Sequence, residues 1–282
     1  RVDRFAARYP GLRLVQGYEA LLADPGIDAV YIPLPNHMHV EWTERALAAG
    51  KHVLCEKPIA MQAGEIDRLI AARDAAGRLA AEAFMVVHHP QWQRARTLIA
   101  EGAIGALSHV EGVFAYNNAA DPGNIRNRAE TGGGGLPDIG VYPAITTRFA
   151  TAAEPLRLRA DIRWENGVDS FARVWADFPG FTASFYVSMR LALRQEMVFH
   201  GTDGWMRLAA PFNAGLYGEA QIEIRMNDGR RSIEAFPGVD QYRLMVEAFG
   251  RSAATGAPFA CTLESSKANQ AMIDAIFAAA AT

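Results

Sequence analysis

The sequence predicts an α/β segment followed by an α+β segment: a doubly wound parallel sheet, then a mostly antiparallel one. From residue 28 to 85, short and almost continuously apolar runs alternate with helix-period stretches, the pattern of parallel strands covered on both faces. Beyond Gly105 the runs lengthen and alternate polar with apolar residues, with turn signals such as Phe178-Pro179-Gly180 and Asn227-Asp228-Gly229 between them.

Taken in order, residues 1–9 read as the middle of an amphipathic helix with Val2, Phe5 and Ala6 on one side. A helix already under way at Arg1 gives the expectation that the fold's opening strand precedes this chain. Buried strands are expected at 28–32, 52–55 and 80–85, with helices at 41–49 and 63–76, the second stopped by Gly77. Alternating strands follow at 109–116, 156–164, 171–178, 181–189, 197–200 and 222–226. One helix, 136–150, interrupts them, and two more close the chain at 241–254 and 263–280. The expected division is a first domain over 1–86 and a second over 87–282, the last helices packing back on the first.

Half of the 282 residues are hydrophobic and the formal net charge is -3, the balance of an ordinary globular protein. There is no domain-wide basic excess to release counterions from a phosphate backbone, so nucleic acid is not an expected partner. No run of 18 or more apolar residues and no charged-then-apolar leader is present, which removes support for membrane insertion and secretion. Cys55 and Cys261 make no disulfide framework and lack paired zinc spacing; a reducing cytoplasm is the expected compartment.

In open α/β sheets ligands bind outside the carboxyl ends of the strands. Pro33-Leu34-Pro35-Asn36-His37-Met38-His39 follows the first buried run there, stiffened by two prolines and carrying Asn36 and two histidines as polar contacts. The alternative is a turn in which Asn36 caps the next helix. Cys55-Glu56-Lys57-Pro58 ends the second run. As a fixed cation, Lys57 can hold a ribose hydroxyl or lower the pKa of a nearby phenol; the alternative is a surface Glu-Lys pair of little energetic weight.

Gly132-Gly133-Gly134-Gly135-Leu136-Pro137-Asp138-Ile139-Gly140-Val141-Tyr142 is the third element. Four glycines allow close backbone approach to a ligand, and helical spacing puts Asp138 and Tyr142 at i and i+4 on one face. A tyrosine is a poor base near neutrality, but a cation such as Lys57 would lower its pKa toward a useful range. The alternative keeps Asp138 as a first-turn residue and Tyr142 as half-buried core. His88, His89 and Trp92 end the third run at the same edge, where His88 and Trp92 can reach a substrate; the alternative is a pair of satisfied polar histidines. Arg126, ahead of the glycines, can bind substrate oxygens or stand as an exposed loop arginine. No carboxylate or third histidine sits at ligand spacing, so no metal is expected.

IPLPNHMH, EKP and GGGGLPDIGVYP, in this order and separation, resemble the glucose-fructose oxidoreductase, inositol dehydrogenase and rhizopine-catabolism (Gfo/Idh/MocA) family across nearly the whole chain. EAFM, HHPQWQR, IRNR and DIGVYP are most similar to its branch of aldose (D-xylose) 1-dehydrogenases, glucose-fructose oxidoreductases and dihydrodiol dehydrogenases. The resemblance implies a partial Rossmann domain lacking its first strand and glycine loop, then a substrate-binding and oligomerisation domain. It implies NAD or NADP as cofactor, lined by Pro33, Leu34, Pro35, Asn36, His39, Glu56, Lys57 and Pro58. It gives Lys57 a place beside the nicotinamide ribose, Tyr142 the part of general acid or base, and Asp138 the orientation of a sugar, polyol or diol substrate. The residues that choose NAD or NADP are expected before Arg1. Pro137 and Val86-Val87 depart from the family pattern and leave substrate preference open. A non-catalytic sugar sensor and an NAD-dependent glycosidase are the alternatives on this fold. A homodimer or homotetramer is expected through the second sheet, whose uncovered face is expected to carry Phe171, Val174 or their neighbours.

Overall fold

The structure, a computed structural model, describes residues 8–280; residues 1–7 of the helix expected over 1–9 lie outside the described residues. A short helix α1 (Tyr18–Leu22) leads into β1 (Ala29–Ile32), α2 (His39–Ala48), β2 (His52–Cys55), α3 (Ala63–Ala76) and β3 (Ala80–Glu82). The strands form one parallel sheet in the order β1-β2-β3. Ile32 is paired with Cys55 and Cys55 with Glu82, so all three carboxyl ends finish level and the loops after them gather at one edge.

Local chemistry explains these elements. β2 lies between two neighbours and buries Val53, Leu54 and Cys55, whereas β1 alternates exposed and buried residues. In α3, Gln62 and Glu65 form a reciprocal capping box, and Gly77 closes the helix at φ 60, a left-handed cap that glycine adopts without strain. The expected third strand stops at Glu82 rather than residue 85. Met85–His88 is a tight 3-10 turn that buries Met85, Val86 and Val87, so this apolar run is core rather than ladder. Beyond it, α4 (Pro90–Ala100) is a helix that periodicity did not reveal. Its signal is Pro90 in the first turn, behind a His89 side chain that accepts a hydrogen bond from the Gln91 N–H.

The second sheet contains β4 (Leu107–Asn117), β5 (Arg157–Glu165), β6 (Val168–Phe178), β7 (Phe181–Ser188), β8 (Arg190–Gly201), β9 (Gly204–Leu208), β10 (Gln221–Met226) and β11 (Arg231–Ala235). It has eight strands in the order β11-β10-β9-β8-β4-β7-β6-β5. All neighbours are antiparallel except β4 and β7. β8 is far longer than the expected 197–200 because residues 191–194 are exposed and show no alternation. β9 and β11 have only five residues each, too short to stand out by pattern. Between β4 and β5 the chain makes a π turn, Leu136–Gly140, that runs into α5 (Val141–Thr151).

One face of this sheet packs Val110, Phe114, Val174, Phe185 and Phe199 with Trp92 of α4 and Ile145 of α5 in a common core. Val174 is therefore on the covered face, contrary to expectation. Phe171, Arg173 and Trp175, one register over on β6, look the other way with Arg159 and Asp161 of β5. Two helices end the chain, α6 (Gln241–Thr255) and α7 (Leu263–Ala280). α7 joins the two sheets. Its Asp274 accepts the Ala63 N–H at 2.8 Å, its Gln270 donates to the Met61 carbonyl at 3.0 Å, and its Phe277 packs on Trp164 of β5. Among the described residues no helix is long and apolar enough to cross a membrane.

Candidate active site

The loops after β1 and β2 form one wall of a cavity of about 270 Å³ lined by Pro33, Leu34, Asn36, His39, Glu56 and Lys57. Asn36 does not cap α2. Its Nδ2 donates across the cleft to the Gly132 carbonyl at 2.8 Å, tying the rim to the glycine loop of the second half. Both ring nitrogens of His39 lie 2.7 Å from main-chain carbonyls, of Pro58 and Leu34. Glu56 accepts from the Tyr31 hydroxyl. Glu56 and Lys57 are consequently no surface pair: Lys57 Nζ donates to the Asp138 carbonyl at 2.6 Å and to its Oδ1 at 3.1 Å.

Asp138 is the hub of the site. Its Oδ2 accepts from the Tyr116 hydroxyl at 2.7 Å and is paired with Arg126 Nε at 3.0 Å. Burial by itself would raise the Asp138 pKa, but Lys57 and Arg126 outweigh it and hold the carboxyl at about 2. The carboxylate is thus a permanent anion whose oxygens are engaged by the protein's own donors, the counter-ion of two cations.

Tyr142 is 6% exposed, packed among Phe84, Phe114 and Phe212. Its hydroxyl donates to Met85 Sδ at 3.7 Å. Burial pushes its pKa well above that of a free phenol. This corrects the expectation that Lys57 would lower it. The ammonium sits 5.1 Å from the ring centroid and directs its N–H groups at Asp138, with no hydrogen bond to the phenol oxygen.

The glycine run also differs from expectation, since its close approaches are to protein. A Cβ on Gly133 would meet the Arg126 carbonyl at 2.5 Å, and one on Gly134, which has φ +129, would meet Asp169 Oδ1 at 2.1 Å. Asp169, on β6, accepts the Leu136 N–H at 2.6 Å and so anchors the segment that carries Asp138 and Tyr142. Burial raises its carboxyl to about 7.

Asp138 and Tyr142 do face one space, a second cavity of about 480 Å³ that also contains Glu56, Lys57 and Arg126. Glu56, Lys57, Arg126 and Asp138 line both cavities and form the partition between them. The remaining wall of the second cavity escaped the sequence reading: Tyr116 at the end of β4 and Asn118 just beyond it, Asn213 from the loop after β9, and Tyr242 of α6. The polar end of β4 is the one feature that pointed there; long-range topology brings in the others.

His88 and Trp92 line neither cavity. Trp92 is 0% exposed and its indole N–H donates to the Pro211 carbonyl at 2.7 Å, which makes it core. The His88 ring packs on Phe259 with centroids 5.0 Å apart, and burial takes its pKa to about 4. Neither stands at the strand edge, because the third strand ends at Glu82 and a buried turn follows it.

A cleft at the carboxyl ends of parallel strands, walled by a proline-stiffened loop and a lysine turn, fits a dinucleotide's nicotinamide half. Residues 1–84 match the oxidoreductase family with an NAD-binding Rossmann fold, and residues 92–207 match the GFO/IDH/MocA C-terminal domain. The chain belongs to the GFO/IDH/MocA oxidoreductases. It is an NAD(P)-dependent enzyme of the dehydrogenase and reductase class. It is 40% identical to an uncharacterized oxidoreductase of Rhizobium meliloti, over 98% of this chain and 84% of the relative. A D-xylose 1-dehydrogenase (NADP(+)) of Haloferax volcanii is 35% identical over 94% of this chain and 82% of its own. A 3-ketoreductase from Actinomadura kijaniata, solved in complex with NADP and TDP-benzene, superposes with a TM-score of 0.90 at 32% identity, covering 99% of this chain and 86% of that one. These relatives give no support to a sensor or a glycosidase.

Proposed function

We propose that this GFO/IDH/MocA enzyme oxidises or reduces a carbinol or carbonyl carbon of a sugar or related polyol, with Tyr142 moving the proton. The observation that carries the reading is the shared partition: the Lys57, Arg126 and Asp138 cluster faces the cofactor cleft on one side and the Tyr142 cavity on the other. Pro33, Leu34, Pro35, Asn36, Glu56, Lys57 and Pro58 would hold the nicotinamide half, which when bound supplies or accepts the hydride. Either NAD or NADP suits this role.

Tyr142 is the proton donor in reduction, because its buried phenol stays protonated at neutral pH. Lys57, beside the ring, stabilises negative charge developing on the substrate oxygen, and Asp138 holds Lys57 and Arg126 in place. Amides and hydroxyls of Asn118, Asn213, Tyr116 and Tyr242 suit a polyol's oxygens, while Phe114, Ile139 and Leu193 offer apolar surface to its C–H face. The division into a cofactor half over 1–86 and a substrate half over 87–282 belongs to the same reading. So does a homodimer or homotetramer that covers the Trp175 face of the second sheet, in a reducing cytoplasm where Cys55 and Cys261 remain free thiols.

Tyr142→Phe tests the assignment. It should lower kcat by roughly 10²- to 10⁴-fold against aldoses, ketosugars or diols while cofactor affinity stays at the parental value. A variant that turns over at the parental rate removes Tyr142 from the proton transfer.

A further inference from the structure

One peptide unit of the turn after β2 is gripped at both ends by buried ionisable side chains. The Pro58 carbonyl lies 2.7 Å from His39 Nδ1, and the next N–H, of Ile59, donates to Glu82 Oε1 at 2.9 Å. His39 is 0% exposed and Glu82 3%. They approach from different elements, His39 from the start of α2 and Glu82 from the end of β3. Lys57 immediately precedes the gripped peptide, and its ammonium reaches Asp138 from there.

Neither side chain is free for another task. Both nitrogens of His39 face carbonyls, so none is left for a ligand. Glu82 is sealed beneath the turn, where burial raises its carboxyl to about 7. A carboxyl oxygen accepts an N–H in either protonation state, so the Ile59 contact survives a change of charge.

We propose that His39 and Glu82 are positioning residues for Lys57: His39 Nδ1–H holds the Pro58 carbonyl, Glu82 holds the Ile59 N–H, and the clamped peptide fixes the ammonium on Asp138. This rests on the assignment of Lys57 made above. The second nitrogen extends the clamp to the Leu34 carbonyl, joining the rim after β1 to the turn after β2, but only when the ring is doubly protonated. Burial works against that form and lowers the His39 pKa; the Lys57 ammonium acts in the same sense, while the two carbonyls and Glu56 oppose it. Glu82 faces Lys57, Glu56 and the Ser266 hydroxyl. With the proton on Nδ1, as proposed, the Pro58 contact is the standing half of the clamp and the Leu34 contact its acid-dependent half.

The test uses the full chain loaded with NADP. Glu82→Leu leaves the Ile59 N–H without an acceptor and should lower kcat roughly 10- to 100-fold, with substrate KM and cofactor Kd within about threefold of parental, because a small displacement of a catalytic group costs rate before binding. Glu82→Gln keeps an acceptor oxygen and should restore kcat to within about threefold. Parental kcat in the leucine variant, or a glutamine variant as slow as the leucine one, overturns the proposal. A second measurement needs neither activity nor a variant enzyme. In ¹⁵N-resolved imidazole spectra of the unaltered protein at neutral pH, Nδ1 of His39 should carry a proton and Nε2 none. A bare Nδ1 at neutral pH overturns the clamp, since a lone pair cannot hold a carbonyl. Lys57→Met at parental kcat would instead sink the role of Lys57, an outcome the spectra report separately.

Discussion

Replacing Gly134 with alanine should cost both stability and turnover, through one contact. The residue has φ +129, a region essentially closed to side-chain-bearing residues, and an added Cβ would lie 2.1 Å from Asp169 Oδ1. Holding an alanine there costs about 1–3 kcal/mol. Displacing the carboxylate releases the Leu136 N–H it accepts at 2.6 Å, a further ~1–2 kcal/mol of the kind lost when a helix cap is removed. With about 3.5 kcal/mol as the middle of the combined range, the thermal midpoint falls by roughly 7–14 °C for a protein of this size. The π turn carrying Asp138 shifts with Leu136, so kcat falls at least roughly tenfold in the protein that remains folded. Calorimetry with steady-state kinetics on Gly134→Ala provides the assay. Gly64→Ala is the control: its added Cβ meets nothing within 4 Å, and the exchange should stabilise α3 by ~0.5–1 kcal/mol. A Gly134→Ala protein melting within about 2 °C of the parent at undiminished kcat would show that Asp169 does not anchor the segment.

Two other outcomes follow from the same structure. The Glu82 carboxyl sits at about 7 against an ordinary 4.5, a folded value raised above the unfolded one. Its contribution is accordingly full below about pH 4.5 and lost as pH rises through about 7. Glu82→Gln removes this dependence and should gain about 2–3 kcal/mol on the parent between about pH 5 and about pH 8.5 in urea denaturation; an equal difference at both pH values refutes it. Trp175 is 40% exposed on the uncovered sheet face, and Trp175→Glu should convert an assembled parent into monomers in sedimentation velocity at micromolar protein. A parent that is itself monomeric there refutes assembly through this face.

Much of the fold could be read from the chain because its signals are local. Val53-Leu54-Cys55 is apolar because both its flanks are covered, and Gln62, Glu65 and Gly77 mark the ends of α3 in their own chemistry. The reading failed where burial imitates a strand, as in Met85-Val86-Val87, and where a strand is exposed on both faces, as at the start of β8. In the site, Lys57, Asp138 and Tyr142 could be picked out because each follows a strand or glycine signal. Asn213 and Tyr242 could not, since each enters the cavity from a different element and only the folded chain brings them together. The glycines were noticed for the right physical reason and assigned the wrong neighbour, because a missing Cβ does not say whether ligand or protein fills its place.

The partition of Lys57, Arg126 and Asp138 makes the two cavities thermodynamically interdependent. These charges are bonded to one another, so an occupant of one cavity that draws a cation even partly from Asp138 alters the field met by an occupant of the other. Linkage requires the exchange to be reciprocal: whatever factor an occupant of one cavity adds to affinity in the other, it receives back from the occupant there. A substitution in any of these three side chains should therefore change the affinity of both cavities at once.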